Sequence, residues 1–305
     1  MGPANESVSP EKLQQLLTSG VIEPSRSPWT AAVVITPKKT PGQWRFAIDY
    51  RRLNNVTKFD AYPMAGADRG LERLNGSTYF TSIDLASGFH QVLMSESSKE
   101  LTAFLTTDGL FQFTRMPFGL KCARATFQRL MDLVLSGLTW RSGLVYLDDI
   151  LIFTPGSFQR HLTAISEVLQ RLREHGLRAL PAKCKFAQRQ RTYLGHTVSP
   201  EGIRPDDDLV EAIRSYSRPT SVAHVRSFID LSGYYRTYIH DFAQTAASLL
   251  RLLKKNQTFQ WGKTKNAPSC NSETSCRRRP CCGIQISAEP SSSKPTSRTW
   301  EFERF

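Results

Sequence analysis

Two aspartates stand side by side in the segment LVYLDDILIF, where Asp148 and Asp149 separate two runs of β-branched and aromatic residues. That pattern predicts a hairpin with acid at its tip. Asp is common in turns because its side chain bonds to nearby backbone, and most Asp pairs in loops need no other account. Here both flanks are apolar enough to be buried. Two carboxylates beside a core repel one another and are costly to desolvate unless a cation neutralises them. A divalent metal is the simplest solution. Magnesium accepts one or two protein carboxylates and keeps its remaining positions for water and phosphate oxygens, which suits nucleotide chemistry. A third acid, Asp84, follows Phe80-Thr81-Ser82-Ile83 at the end of an expected strand and precedes Gly88. One carboxylate from that strand beside a pair from the hairpin could hold two metals, the arrangement that clamps the attacking and leaving oxygens of phosphoryl transfer. From spacing alone, Asp84 serves equally well as the cap of a following helix.

The elements that must position these acids mix strand and helix signals without strict βαβ alternation, so an α+β fold is expected. A short helix over Leu13–Leu17 stops before Gly20, and strands are expected over Ala32–Thr36 and Trp44–Asp49, joined by a turn at Lys39-Thr40-Pro41-Gly42. Thr78–Leu85 reads as a further strand. Phe127, Leu130, Met131, Val134, Leu135 and Leu138 recur at three and four residues, the spacing of a helix with one apolar face. Leu162, Ile165, Val168, Leu169 and Leu172 form a second such stripe, ended by a left-handed cap at Gly176. A third, after Pro219, puts Val225, Phe228, Tyr235, Ile239 and Phe242 on one side. All three stripes are expected to face the core.

The 305 residues leave room for two or three subdomains. Forty Lys and Arg against 27 Asp and Glu give a net charge of +13, and residues 1–262 alone carry +9. The basicity expected of a partner of phosphate backbones therefore belongs to the folded part. Cys270, Cys276, Cys281 and Cys282 cluster near the C-terminus, without a nearby His or a C-x-x-C pair, so zinc is not expected. Ser, Thr and Pro make up 16 of the last 43 residues, and that tail, 263–305, is expected to be disordered. No apolar run is long enough for a membrane span and no signal-peptide order opens the chain, so an intracellular protein, cytoplasmic or nuclear, is expected.

Tyr146-Leu147-Asp148-Asp149 resembles the Y-x-D-D box of reverse transcriptases, and the surrounding sequence is similar to the polymerase of gypsy-type LTR retrotransposons. Blocks in order carry the likeness: Ile22–Trp29, Trp44–Asn54, Asp84–Gln91, Phe113–Leu120, Tyr193–His196, Val198–Ile203 and Phe228–Leu253. It implies a right-hand polymerase fold with fingers, a palm built on an antiparallel sheet and a partial thumb, ahead of the tail. The implied boundaries are fingers over 1–60 and 92–125, palm over 61–91 and 126–203 with the catalytic hairpin and primer grip, and a thumb-like helical region over 204–262. The implied activity is RNA-directed DNA polymerisation, adding dNTPs to a primer on an RNA or DNA template.

The resemblance also assigns residues. Asp84, Asp148 and Asp149, with the carbonyl of Leu85, would bind two Mg²⁺ ions, a role Mn²⁺ could share. Lys38 and Arg45 fall where the fingers reach the triphosphate. Phe89 matches the aromatic under the sugar, and Phe118 the floor beneath nucleotide and template, although both read equally well as core. Tyr146 lies beside the catalytic pair, and Leu194 and Gly195 match the turn that holds the primer end. Arg226 and Arg236, near Tyr234, Tyr235, Lys254 and Lys255, would meet the duplex backbone.

The chain departs from the family pattern at Ala65–Gly70, where two glycines weaken a helix start, and at Arg124, which replaces a Pro. The likeness ends near Trp261–Thr264, where a frameshifted or truncated element is expected. Nothing after Lys263 supplies the acids of a ribonuclease H. The rival readings are a non-catalytic nucleic-acid-binding remnant and, more distantly, a two-metal nuclease.

Overall fold

The computed structural model of the chain describes residues 10–37, 44–63, 67–239 and 241–254. Lys38, the expected turn at 39–42, Lys255 and the tail expected to be disordered lie outside the described residues. The described residues divide into two compact units, one within Met1–Arg73 and Thr78–Gln188, the other within Leu74–Ser77 and Arg189–Phe305.

The first unit opens with helix α1 (Pro10–Thr18), which buries Leu13 and Leu16. It ends where Gly20 takes a left-handed φ of 65°, with Gly20 N–H on the Leu17 carbonyl and Val21 N–H on that of Leu16. Strand β1 (Ile22–Pro24) follows, then β2 (Val33–Pro37) and β3 (Trp44–Ile48), which pair antiparallel from Val33 opposite Ile48. Helices α2 (Arg51–Val56) and α3 (Ala67–Glu72) lead to β4 (Tyr79–Asp84). Gly70, one of the two glycines that departed from the family pattern, packs closely here: a Cβ on it would lie 3.2 Å from Leu144 Cδ1. After a 3₁₀ turn at Gly88–Gln91 come α4 (Glu96–Lys99), β5 (Phe104–Thr106) and β6 (Gly109–Phe113). The order β1-β6-β5 forms a small sheet whose Ile22, Phe104, Phe111 and Phe113 pack with Leu13 and Leu16.

Helix α5 (Ala123–Val134) then precedes β7 (Gly143–Tyr146), β8 (Asp149–Thr154), α6 (Phe158–Glu174) and β9 (Lys185–Gln188). The strands form an antiparallel sheet in the order β7-β8-β4-β9. Phe127 and Met131 of α5 and Ile165, Val168 and Leu172 of α6 share one core with Ile83, Ile150 and Ile152. Arg124 is exposed near the start of α5, where its charge stays in water. The cap at Gly176 forms as expected, with φ 68° and the Leu177 N–H on the Leu172 carbonyl.

The buried face of α6 differs from its leucine stripe. Leu162 and Leu169 are 40% and 39% exposed, while His161 is wholly buried. The reason is hydrogen bonding, since the His161 ring nitrogens meet Thr81 Oγ1 at 2.8 Å and Thr154 Oγ1 at 2.9 Å on the sheet beneath.

The second unit begins with a meander of β10 (Arg191–Tyr193), β11 (His196–Ser199) and β12 (Gly202–Pro205). Helix α7 (Asp207–Arg214) is capped by the Asp206 side chain and α8 (Val222–Tyr234) by that of Ser221. The third apolar stripe is not one helix. Buried Ser232 bonds back to the Phe228 carbonyl at 2.8 Å, α8 stops at Tyr234, and after a 3₁₀ turn at Arg236–Tyr238 the left-handed Asp241 (φ 49°) restarts the chain as α9 (Phe242–Arg251). Val225, Phe228, Tyr235 and Ile239 are nonetheless all buried. The division between the two units falls at 188/189.

Candidate active site

The register of the larger sheet decides where the acids go. Asp84 ends β4 directly opposite Asp149, which begins β8 and also faces Tyr146 across the hairpin. Like charges directly opposite on a ladder destabilise it unless a cation answers them. Asp148 shares the two-residue turn with Leu147, whose φ of 56° is left-handed. Two hydrogen bonds fix that turn: Leu147 N–H donates to Gln128 Oε1 at 2.9 Å, and Leu85 N–H donates to the Asp148 carbonyl at 3.3 Å. The second ties the backbone of Asp148 to the residue after Asp84. Gly88 permits the close packing around them, because a Cβ there would lie 2.9 Å from Phe127 Cζ and 3.1 Å from Asp148 Cβ. Asp84 is therefore the end of a strand and caps no helix; the next turn starts at Ser87, with no side-chain cap.

The carboxylates themselves are in different settings. Both oxygens of Asp84 lie 3.3 Å from Lys183 Nζ, Asp148 is half-buried, and Asp149 is exposed. Among the described residues no three Asp, Glu, His or Cys side chains are gathered closely enough to enclose a metal. The backbone brings the three acids to one end of the sheet, while Lys183 supplies the positive charge at Asp84. As a donor set, three hard carboxylates on a rigid ladder suit Mg²⁺. Leu85, expected to lend its carbonyl, is buried beside them.

Phe89 and Phe118 are also brought together, with ring centroids 5.1 Å apart, and Phe89 meets Phe127 edge-on at 5.3 Å. Phe118 is 54% exposed, so it is a surface ring and not core. Beside it opens a cavity of about 1140 Å³ lined by Ser87, His90, Gln91, Arg115 and Arg178 among others. Its wall starts at Ala86, two residues beyond Asp84, and does not include the acids. Ser87 is left-handed at φ 51°. Burial pushes the His90 imidazole below its ordinary value, and the charges of Lys12 and Arg115 push the same way. The cavity therefore holds fixed cations and a neutral-leaning histidine. Arg45 lies on β3 opposite Thr36, its side chain outside the described residues, as is Lys38 altogether.

In the second unit, Leu194 and Gly195 form the turn between β10 and β11 with φ of 45° and 71°. Gly195 is required there on two counts, the left-handed φ and a Cβ that would lie 3.0 Å from the Tyr235 hydroxyl. Arg226 and Arg236 are exposed on α8 and on the turn after it. Tyr235, grouped from sequence with the duplex-facing residues, is wholly buried, which removes it from any duplex surface.

Residues 36–198 match the family model described as reverse transcriptase (RNA-dependent DNA polymerase). The chain belongs to this family. It is 42% identical over 248 residues to the retrovirus-related Pol polyprotein from transposon 297 of Drosophila melanogaster, a match covering 80% of this chain and 23% of that one. It is 36% identical over 269 residues to that from transposon gypsy of the same species, covering 86% and 26%. The chain thus spans about a quarter of the length of the curated relatives it matches, and it is a reverse transcriptase domain of LTR-retrotransposon type. Among solved structures, the foamy viral protease-reverse transcriptase in complex with double-stranded DNA matches at a TM-score of 0.74 and 23% identity, over 83% of this chain and 54% of that one. The fold is accordingly the α+β right-hand polymerase fold. No helix among the described residues is long and apolar enough to cross a membrane.

Within this reverse transcriptase domain, sequence reasoning missed two groups that hold the acids. Gln128, 1% exposed, sits in an apolar stripe and was passed over, yet it is the acceptor for the hairpin turn and donates to Asp132 at 3.0 Å. A polar residue inside an apolar face was the available signal. Lys183 lies far along the chain from Asp84, and no local pattern links them.

Proposed function

We propose that this chain adds dNTPs to a primer 3′ end under the direction of an RNA or DNA template. The observation that carries the reading is the ladder register that sets Asp84 against Asp149, with Asp148 tied to Leu85 by its carbonyl. Asp84, Asp148, Asp149 and the Leu85 carbonyl would hold two Mg²⁺ ions, which when bound lower the barrier to attack by the primer hydroxyl and stabilise the departing pyrophosphate. The protein's own part is to fix those oxygens on a sheet whose opposite face is core, and to release Lys183 from Asp84 as the metal charge replaces it.

Phe89 and Phe118 then form an aromatic seat for sugar and base, with Tyr146 beside the acids. Lys38 and Arg45 reach the triphosphate, Lys as a point charge and Arg as a fork. Leu194 and Gly195 support the primer end, and Arg226 and Arg236 contact duplex phosphates, which position the substrate without reading sequence. In this reading residues 1–60 and 92–125 serve as fingers, 61–91 and 126–203 as palm with the catalytic hairpin and primer grip, and 204–262 as the thumb-like helical region.

Primer extension on poly(rA)/oligo(dT) with Mg²⁺ and dTTP tests the reading. The natural chain should extend the primer, and Asp148→Asn should lose roughly a thousandfold or more in kcat while still binding duplex. Salt-sensitive duplex binding with no extension by either protein would mark a nucleic-acid-binding remnant, and shortening of the strand without dNTP a nuclease.

A further inference from the structure

The second unit contains a device that the family assignment does not explain. Each carbonyl of the Leu194–Gly195 turn accepts two hydrogen bonds. Leu194 O receives the Tyr234 hydroxyl at 2.5 Å and His196 Nδ1 at 2.9 Å. Because a carbonyl can only accept, that second contact fixes the His196 tautomer with its proton on Nδ1. Gly195 O receives the Tyr235 hydroxyl at 2.5 Å and the Asp206 N–H at 3.0 Å. Two adjacent tyrosines at the end of α8 thus grip two adjacent carbonyls, 40 residues away in sequence.

The grip is built and not incidental. Tyr235 is wholly buried and Tyr234 is 46% exposed, so one hydroxyl is held in the core and the other at the surface. Burial drives the Tyr235 phenol far above its ordinary range, which keeps it protonated as a donor. The 4%-exposed His196 packs against the rings of Tyr234 and Tyr235, both at 5.5 Å. A Cβ at position 195 would press on both tyrosines, 3.0 Å from the Tyr235 hydroxyl and 3.3 Å from Tyr234 Cε1. A two-residue turn in left-handed conformation has several alternatives open to it, and four donors on two carbonyls select one.

We propose that Tyr234 and Tyr235 are positioning residues for polymerisation, using their hydroxyls to lock the primer-supporting turn to the thumb helix. This rests on the reading of Leu194 and Gly195 as the primer support. With both carbonyls engaged by the protein, the polar groups the turn has left for a substrate are its amide N–H groups, neither of which has a partner among the described residues. An N–H pair in left-handed backbone suits a phosphate of the primer end, and its aim depends on the carbonyls behind it being held still.

The test uses Tyr234→Phe, Tyr235→Phe and the double variant, which keep the rings and remove only the hydroxyls. Val225→Ala, a cavity in the same helix, controls for plain loss of stability. In primer extension the Phe variants should lower kcat about tenfold each, the size of effect a slightly misplaced reactant produces, with the KM for dTTP changed less than twofold. Val225→Ala should lower the melting temperature without lowering kcat at a temperature where it is folded. Amide exchange across residues 193–206, with and without primer–template duplex, provides a readout free of chemistry: the natural chain should gain protection on duplex addition and the double variant should not. If the natural chain fails to extend but gains that protection, the polymerase reading fails and the lock stands. Unchanged kcat together with unchanged exchange in the double variant would overturn the lock.

Discussion

His161 shows how a residue can look wrong in sequence and be right in the fold. It occupies a helical position that the leucine stripe would leave outside, yet the ring is wholly buried and bridges Thr81 and Thr154 of neighbouring strands. Burial holds its pKa below the ordinary 6.5. The unfolded chain, with a normal imidazole, therefore binds a proton that the folded chain resists as pH falls. The stability that neutral His161 contributes is present above about pH 6.5 and is lost as pH falls through the depressed folded value. Urea unfolding between about pH 8 and pH 5 should show a falling midpoint. His161→Leu should flatten that part of the slope, costing roughly 1–3 kcal/mol at the alkaline end, where two threonine hydroxyls lose a neutral partner, and less as pH falls. An equal slope in both proteins would mean that other groups carry the acid sensitivity. At this scale the aspartate pair drew notice because adjacent acids between apolar runs are costly to bury, and the strand register then set Asp84 opposite Asp149. The histidine drew none, because its partners come from other elements.

Secondary-structure elements were readable where local chemistry decides them. β8 is a near-continuous buried run, and Gly20 and Gly176 end α1 and α6 by the same left-handed cap. The stripe after Pro219 is not one helix, and its spacing survives the break between Tyr234 and Phe242, where a 3₁₀ turn and left-handed Asp241 intervene. The hairpin that carries Asp148 and Asp149 was also only half readable. Its strands follow from alternation, but the shape of its turn depends on α5, through Gln128 and the Leu147 N–H. Gln128→Leu keeps the volume and removes the acceptor, leaving that N–H without its partner at a cost of roughly 1–3 kcal/mol. The urea midpoint should fall accordingly. Because the turn carries Asp148, kcat for extension should fall as well, with the KM for primer–template little changed. A loss of stability with full activity would show that the turn holds its shape without the glutamine.

For the whole molecule, the charge raises the expectation of a polyanion partner, while the sequence does not reveal where the compact units divide. The units divide at 188/189, and within the second the two tyrosines reach the turn at 194–195 from 40 residues away, contacts that no local pattern marks. Charge is different, because it is additive and survives any misreading of the fold. Residues 1–262 carry +9 and residues 263–305 carry +4. If duplex binding rests on the basic groups of the folded units, such as exposed Arg226 and Arg236, affinity must fall steeply with salt, since each phosphate neutralised releases condensed counterions. The slope of log K against log salt is about −0.9 per phosphate contacted, so it counts contacts directly. Deleting 263–305 should leave that slope within about one unit of the full chain's, whereas Arg226→Ala with Arg236→Ala should reduce it by about two. Fluorescence anisotropy of a labelled primer–template duplex at several salt concentrations measures both. A deletion that halves the slope while the arginine pair leaves it unchanged would move the phosphate contacts from the folded units to the C-terminal segment.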